Sequence, residues 1–202
     1  MKLYYSPGTC SLSPHITLRE AGIAVELVKV NLAAAMTEGG DNYMKINPKG
    51  YVPLLELDNG ERLSEGPAIV QYIADQAPAK NLAPANGTLA RYHLQEWLNF
   101  ITSEVHKGFG PLFTSDMPEV AKTLARAKLA QRFSWVNEQL DGKQFLMGDT
   151  FTVADAYLFT VAGWGKHTGV DISQYTHLTA YMARVATRPA VQAALKAEGL
   201  LK

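Results

Sequence analysis

Apolar residues change their spacing along this chain, and the change divides it. Through the first eighty residues, short runs rich in aromatic and β-branched side chains alternate with helical stretches. Residues 2–5 and 25–30 read as strands, and residues 11–21 between them place Leu12, Ile16 and Arg19 at helical spacing, a βαβ unit. Residues 52–57 and 61–64 are two further short runs around Asp58, Asn59 and Gly60, a turn whose Asn and Gly tolerate positive φ, so a hairpin is expected. Residues 66–77 return to helical period with Ile69, Val70 and Ile73 apolar, and Pro78 stops them. The stretch before the hairpin carries only an ill-defined middle helix.

Residues 78–87, PAKNLAPANG, gather Pro, Asn and Gly between two periodic segments and read as a connection, which gives domains 1–80 and 81–202. Beyond it only helical signals remain. Residues 89–105 carry Leu94, Trp97, Leu98, Ile101 and Val105 on one side, and residues 119–140 carry Leu124, Leu129, Phe133 and Val136. Thr152 and Asp155 have capping-box form at the start of a helix expected to run to about His167. Residues 175–187 and 189–197 complete the set, with Pro189 in the first turn of the last helix. Gly108-Phe109-Gly110-Pro111 marks a bend or an end. The expected fold class is therefore α/β followed by all-α, and the order βαβ, helix, ββα with a Cys at the first strand-to-helix turn resembles the thioredoxin fold.

Composition and charge narrow the function. Lys plus Arg total 19 against 19 for Asp plus Glu, so no broad positive field exists and nucleic acid is excluded as an expected partner. The opening residues lack the apolar run of a signal peptide and no later stretch is long and apolar enough for a membrane span, which implies no membrane and a cytoplasmic protein. Cys10 is the single cysteine, so no intrachain disulfide can form. The histidines His15, His93, His106, His167 and His177 show no metal-ligand spacing, and no Walker or dinucleotide pattern occurs; neither a metal nor a nucleotide is expected.

Chemistry concentrates at Ser6–Ser13, SPGTCSLS. Pro7 and Gly8 turn the chain between strand and helix and leave Cys10 near the first helical turn, where N–H groups and the dipole favour a thiolate. Cys10-x-x-Ser13 is a redox-motif spacing with the resolving thiol replaced by a hydroxyl. Dithiol cycling is impossible. Either Cys10 forms a mixed disulfide with an external thiol, or its turn stabilises another molecule's thiolate; the plain alternative is a small buried hydrophobe. An external thiol cosubstrate points to glutathione.

SPGTCSLSPHITLRE, NPKGYVPLLEL, LSEGPAIVQYIAD, EWLNFITSEVHKGF and FTVADAYLF together resemble the bacterial beta class of the glutathione S-transferase family. The resemblance implies a homodimer with a thioredoxin-like glutathione-binding domain and a helical domain carrying the hydrophobic substrate site. It implies a cis bond before Pro53 and backbone groups of Val52 meeting the cysteinyl part of glutathione; from the residues alone, Pro53 opens a strand or makes a rigid turn. It also implies that Glu65 holds the γ-glutamyl ammonium while the backbone N–H of Gly66 takes the carboxylate, although many relatives have Ser there. Without the resemblance, Glu65 is a dipole-stabilising residue at a helix start.

Asn99, Ser103 and His106 stand at i, i+4 and i+7 and form one polar stripe flanked by Lys107, which is either a solvated face or a set of donors facing Cys10 across the domain cleft. The resemblance favours the second, with His106 near the sulfur and Asn99 and Ser103 nearer the peptide. Phe109, Phe113, Tyr157 and Trp164 are candidates for the hydrophobic substrate pocket, although aromatic residues at such spacing also build cores. One departure stands out: the class commonly carries Lys near position 35, where this sequence reads Ala33, Ala34, Ala35, Met36. Weaker glutathione binding is expected unless Lys107, Lys45 or a partner chain compensates. The implied activity is glutathione conjugation to small hydrophobic electrophiles, with thiol-disulfide exchange or reductive dehalogenation through Cys10 as further options. A noncatalytic ligand-binding or stress protein on the same fold is the alternative.

Overall fold

The computed structural model describes residues 1–201. It divides into two compact units, Met1–Leu82 together with the chain from Arg188 onward, and Ala83–Thr187.

The first unit is a five-stranded mixed sheet in the order β3-β2-β1-β4-β5 with helices packed on it. Strand β1 (Lys2–Tyr5) leads through helix α1 (Leu12–Ala21) to β2 (Glu26–Asn31), which pairs with β1 in parallel. Gly22 closes α1 in a left-handed conformation, and its N–H caps the Arg19 and Leu18 carbonyls. A two-residue strand β3 (Met36–Thr37) follows antiparallel to β2, and then a single turn of helix α2 (Tyr43–Ile46). Sequence patterning missed β3, because two residues carry no period. Strands β4 (Leu54–Glu56) and β5 (Arg62–Ser64) form the expected hairpin, and Gly60 at its turn has φ +83°. Helix α3 (Gly66–Gln76) buries Ile69, Val70 and Ile73. Leu3 of β1 is wholly buried, while Tyr4 points the other way into a cluster with Val30, Tyr43, Val52 and Leu54.

The C-terminal helix corrects the sequence reading, which assigned it to the second domain. Helix α10 (Pro189–Ala197) packs against α1 in the first unit. Arg188 at its start grips Glu20 with two nitrogens, Nε at 2.6 Å and Nη2 at 2.9 Å. Just past its end, Glu198 pairs with His15 of α1. The reason is chemical rather than periodic: α10 buries only Val191 and Ala194, so charged side chains at both ends fix it.

The second unit is helical among the described residues. It contains α4 (Leu89–Phe100), α5 (Gly110–Phe113), α6 (Glu119–Gln139), α7 (Val153–Ala162), α8 (Gly165–Thr168) and α9 (Thr176–Ala186). The helix expected over residues 89–105 keeps α geometry only to Phe100. Ile101–His106 then widens into a π turn and Lys107–Phe109 tightens into a 3-10 turn. Gly108 is needed at this junction, since a Cβ there would come within 2.8 Å of Leu129 Cδ2. The helix expected to reach His167 ends at Ala162, and a separate turn follows; a Cβ at Gly165 would lie 2.6 Å from the Val170 carbonyl oxygen, so the chain folds back where only glycine fits. Leu124, expected on the buried face of α6, is 66% exposed. The Thr152–Asp155 capping box is formed, with Asp155 accepting from the Thr152 N–H at 2.7 Å and the Leu146 N–H at 2.9 Å. No described helix is long and apolar enough to cross a membrane.

Candidate functional site

In the first unit the Cys10 turn is held by hydroxyls. The Thr9 Oγ1 hydroxyl lies 2.8 Å from both the Ser6 carbonyl oxygen and Ser11 Oγ, and the Ser6 N–H donates to Ser11 Oγ at 3.2 Å. Buried hydroxyls here do the work that a longer helix would otherwise do, because Cys10 lies two residues before α1 rather than inside its first turn. The N–H groups of Leu12 and Ser13 are taken by the Thr9 and Cys10 carbonyls. Cys10 is half-buried, so it is not the buried hydrophobe of the plain reading, and its Sγ donates to the Val52 carbonyl at 3.3 Å. The Ser13 hydroxyl, 1% exposed, has no hydrogen-bond partner in the structure.

Beneath this turn lies a network that sequence reasoning did not find. Glu198, with a fully buried side chain, accepts from the Gly8 N–H at 2.9 Å through one oxygen and meets His15 Nδ1 at 2.9 Å through the other. Arg19 Nε approaches His15 Nε2 at 3.4 Å. A carboxylate at that distance requires the proton on Nδ1, which leaves Nε2 as the acceptor for Arg19. A polar residue four positions from the chain end gives no periodic signal; only the buried His15 on an apolar helix face hinted at a partner.

The Val52–Pro53 bond is cis and Val52 is buried, with its carbonyl turned to Cys10. Glu65 precedes α3 with φ +71°, a left-handed backbone rare for a residue with a side chain. Its main-chain carbonyl accepts from Ala68 and Ile69, while its carboxylate is exposed and paired with Lys49 Nζ at 2.8 Å. Gly66 opens α3 and Pro67 follows it without an N–H, so the Gly66 N–H is the outward donor of that first turn. Ala35, where a lysine was expected, has φ +52°.

In the second unit the stripe separates. Asn99 and Ser103 are exposed and joined, Ser103 Oγ donating to the Asn99 carbonyl at 3.0 Å. His106 is half-buried and turns to Tyr157 and Trp164 instead: its Nδ1 lies 2.6 Å from the Tyr157 hydroxyl and its ring 5.0 Å from that of Trp164. The wide turn over Ile101–His106 supplies the reason, since the i+7 estimate holds only for α geometry. Phe109, Phe113 and Trp164 stack edge to face around it, with Trp164 5.6 Å from Phe109 and 5.3 Å from Phe113. Phe109 and Tyr157 are core residues at 0% and 2% exposure, which corrects their expected role as pocket lining. Phe113 and Trp164 reach the surface. A separate cavity of about 470 Å³ is lined by Ser103, Lys107, Leu124 and Lys128 among others, and by none of these aromatics.

Two family models match the chain: the N-terminal domain of glutathione S-transferases over residues 1–75 and the C-terminal domain over residues 100–189. Glutathione S-transferase GstA of Escherichia coli O157:H7 is 49% identical over 200 residues, covering 99% of this chain and 100% of that one. The chain belongs to the glutathione S-transferase family. Among solved structures, a sphingomonad glutathione S-transferase complexed with glutathione superposes with TM-score 0.96 at 50% identity, over 99% of this chain and 100% of that one. The bacterial beta class enzyme of Sphingomonas chungbukensis gives TM-score 0.96 at 51% identity over both full chains. The transferase is thus of the bacterial beta type, with a thioredoxin-like first unit. Among its described residues no group of three or more His, Cys, Asp or Glu could hold a metal ion.

Proposed function

We propose that this transferase binds glutathione along the edge formed by Cys10, Val52, Glu65 and Gly66 and conjugates its thiol to small hydrophobic electrophiles. The observation that carries the reading is the contact of Cys10 Sγ with the Val52 carbonyl. It sets a lone thiol beside the backbone group suited to the cysteinyl part of a peptide ligand, while the Glu65 carboxylate and the Gly66 N–H offer charge and a donor for an amino-acid head. Asn99 and Ser103, exposed in the second unit, are assigned to peptide binding. His106 is assigned to catalysis, because a ring fixed by the Tyr157 hydroxyl and Trp164 is preorganised to donate or accept one hydrogen bond. Phe113 and Trp164 are the aromatic surface assigned to the electrophile.

In conjugation Cys10 is not the nucleophile. Lowering a thiol pKa by about two raises the thiolate fraction at pH 7 roughly 25-fold, but a Brønsted slope near 0.45 returns about eightfold. Acceleration must therefore come mainly from placing the electrophile beside the glutathione sulfur. Half-exposure of Cys10 supports a second activity, in which its thiolate attacks oxidised glutathione, forms a mixed disulfide and releases one glutathione thiolate.

The test pairs intact mass after incubation with oxidised glutathione with turnover of a chloroaromatic electrophile, for the unsubstituted protein and Cys10→Ala. The expected result is an adduct about 305 Da heavier that vanishes in Cys10→Ala, with conjugation retained within about tenfold. Ligand binding without turnover by the unsubstituted protein would overturn the enzyme reading in favour of a binding protein.

A further inference from the structure

Lys49 is the one cation in contact with the Glu65 carboxylate among the contacts the structure records there. Its Nζ lies 2.8 Å from Glu65 Oε1 and 3.0 Å from Ser64 Oγ, and 5.9 Å above the Tyr51 ring. The Tyr51 hydroxyl approaches the same Glu65 oxygen at 3.4 Å. This is a built arrangement at its base. The buried Asn47 accepts the Lys49 N–H at 3.2 Å and donates from Nδ2 to the Tyr51 carbonyl at 2.8 Å, so the loop is fixed on both sides of the lysine. The ends of the pair are loose, with side chains 47% and 56% exposed, and an ion pair so exposed exchanges partners at little cost.

The γ-glutamyl end of glutathione carries an ammonium and a carboxylate on one carbon. Its ammonium on Glu65 displaces Lys49, and the attached carboxylate then lies next to the displaced cation. We propose that Lys49 exchanges partners on binding, leaving Glu65 for the α-carboxylate of the γ-glutamyl group, so that one protein ion pair becomes two protein–ligand pairs. This rests on the glutathione reading above and deepens it. Two features of this chain give the lysine that task. Gly66 offers the carboxylate an N–H but no hydroxyl, and the segment Ala33–Met36 offers glutathione no cation.

The test is calorimetric titration of glutathione, and of its analogue lacking the α-carboxylate (4-aminobutanoyl-cysteinyl-glycine), into the unsubstituted protein, Lys49→Met and Lys49→Arg. Lys49→Met is expected to weaken glutathione about five- to twentyfold, as removal of one half-exposed charge-assisted hydrogen bond does. The analogue is expected to bind Lys49→Met and the unsubstituted protein alike, and Lys49→Arg to restore glutathione binding. Tighter glutathione binding by Lys49→Met would overturn the exchange, showing that the lysine only competes for Glu65. Equal weakening of both ligands would overturn it as well, showing that the lysine acts through the loop. If Glu65→Gln leaves glutathione affinity unchanged, the binding mode under "Proposed function" fails and the exchange falls with it.

Discussion

Glu198 is where a change near the chain end should be felt at the reactive thiol. Its two oxygens face two donors, the Gly8 N–H and His15 Nδ1–H, each at 2.9 Å and all without access to water. Glu198→Gln keeps the shape but offers one carbonyl oxygen for both. Whichever way the amide turns, its NH₂ meets a donor, and His15 cannot relieve the clash by moving its proton, because Nε2 already faces Arg19 Nε. One unpaired buried donor costs about 1–3 kcal/mol. Glu198→Ala leaves both donors unpaired and adds a void, for about 3–5 kcal/mol, a large part of the roughly 5–15 kcal/mol that holds such a domain. The loss is not confined to stability. Gly8 has φ +72°, and the Leu200 side chain sits 3.4 Å from where its Cβ would be, so the tail holds the turn from which Cys10 projects. Urea midpoints give the stability, and the rate of Cys10 alkylation by iodoacetamide at pH 7 reports the turn. The expected outcome is the stated ordering in stability and an altered alkylation rate in both variants. Losses under about 0.5 kcal/mol for both, with unchanged alkylation, would refute the argument.

Two further outcomes follow from buried or missing charges. Burial lifts the Asp155 carboxyl to about 6 against the opposing pull of the Leu146 and Thr152 N–H groups, so the folded state holds that proton more tightly than the unfolded chain does. Its contribution is therefore most favourable below about pH 4 and is lost as pH rises through about 6; Asp155→Asn should flatten the fall in unfolding free energy between pH 5 and 7, and an unchanged slope would contradict this. Ala35→Lys should tighten glutathione by roughly tenfold or more, the value of one charge-assisted bond, and calorimetry showing no gain would refute the account of the missing cation.

What could be read from the sequence was whatever repeats or punctuates. Strand β1, the Asn59-Gly60 turn, the Thr152 capping box and the Pro189 helix start were all legible, because each depends on neighbours in sequence. Cys10, Val52 and Glu65 were found as well, through the segments around them. What stayed hidden depends on pairs distant in the chain or on departures from regular geometry. Glu198 answers Gly8 from 190 residues away, and nothing near either announces the other. The wide turn at Ile101–His106 breaks no composition rule, yet it removes His106 from the stripe with Asn99 and Ser103. Phe109 and Tyr157 look like pocket aromatics in sequence and are core, since helical spacing cannot say which side of an aromatic cluster meets water.

The first unit therefore holds the two halves of its proposed task in different hydrogen-bonded networks. Sulfur placement depends on the Ser6, Thr9 and Ser11 hydroxyls and on Glu198, all fixed inside the protein before any ligand arrives. Recognition of the amino-acid head depends on Glu65, Gly66 and Lys49, which are exposed and exchange partners with the ligand. In the contacts described above the two networks share no partner, and Val52 stands between them with its carbonyl on Cys10. Groups with no common partner contribute nearly additively. The loss of a cation at Ala35 or a hydroxyl at Gly66 can thus lower affinity without disturbing the thiol, which is how this transferase keeps its reactive turn intact while departing from its relatives in the residues that hold glutathione.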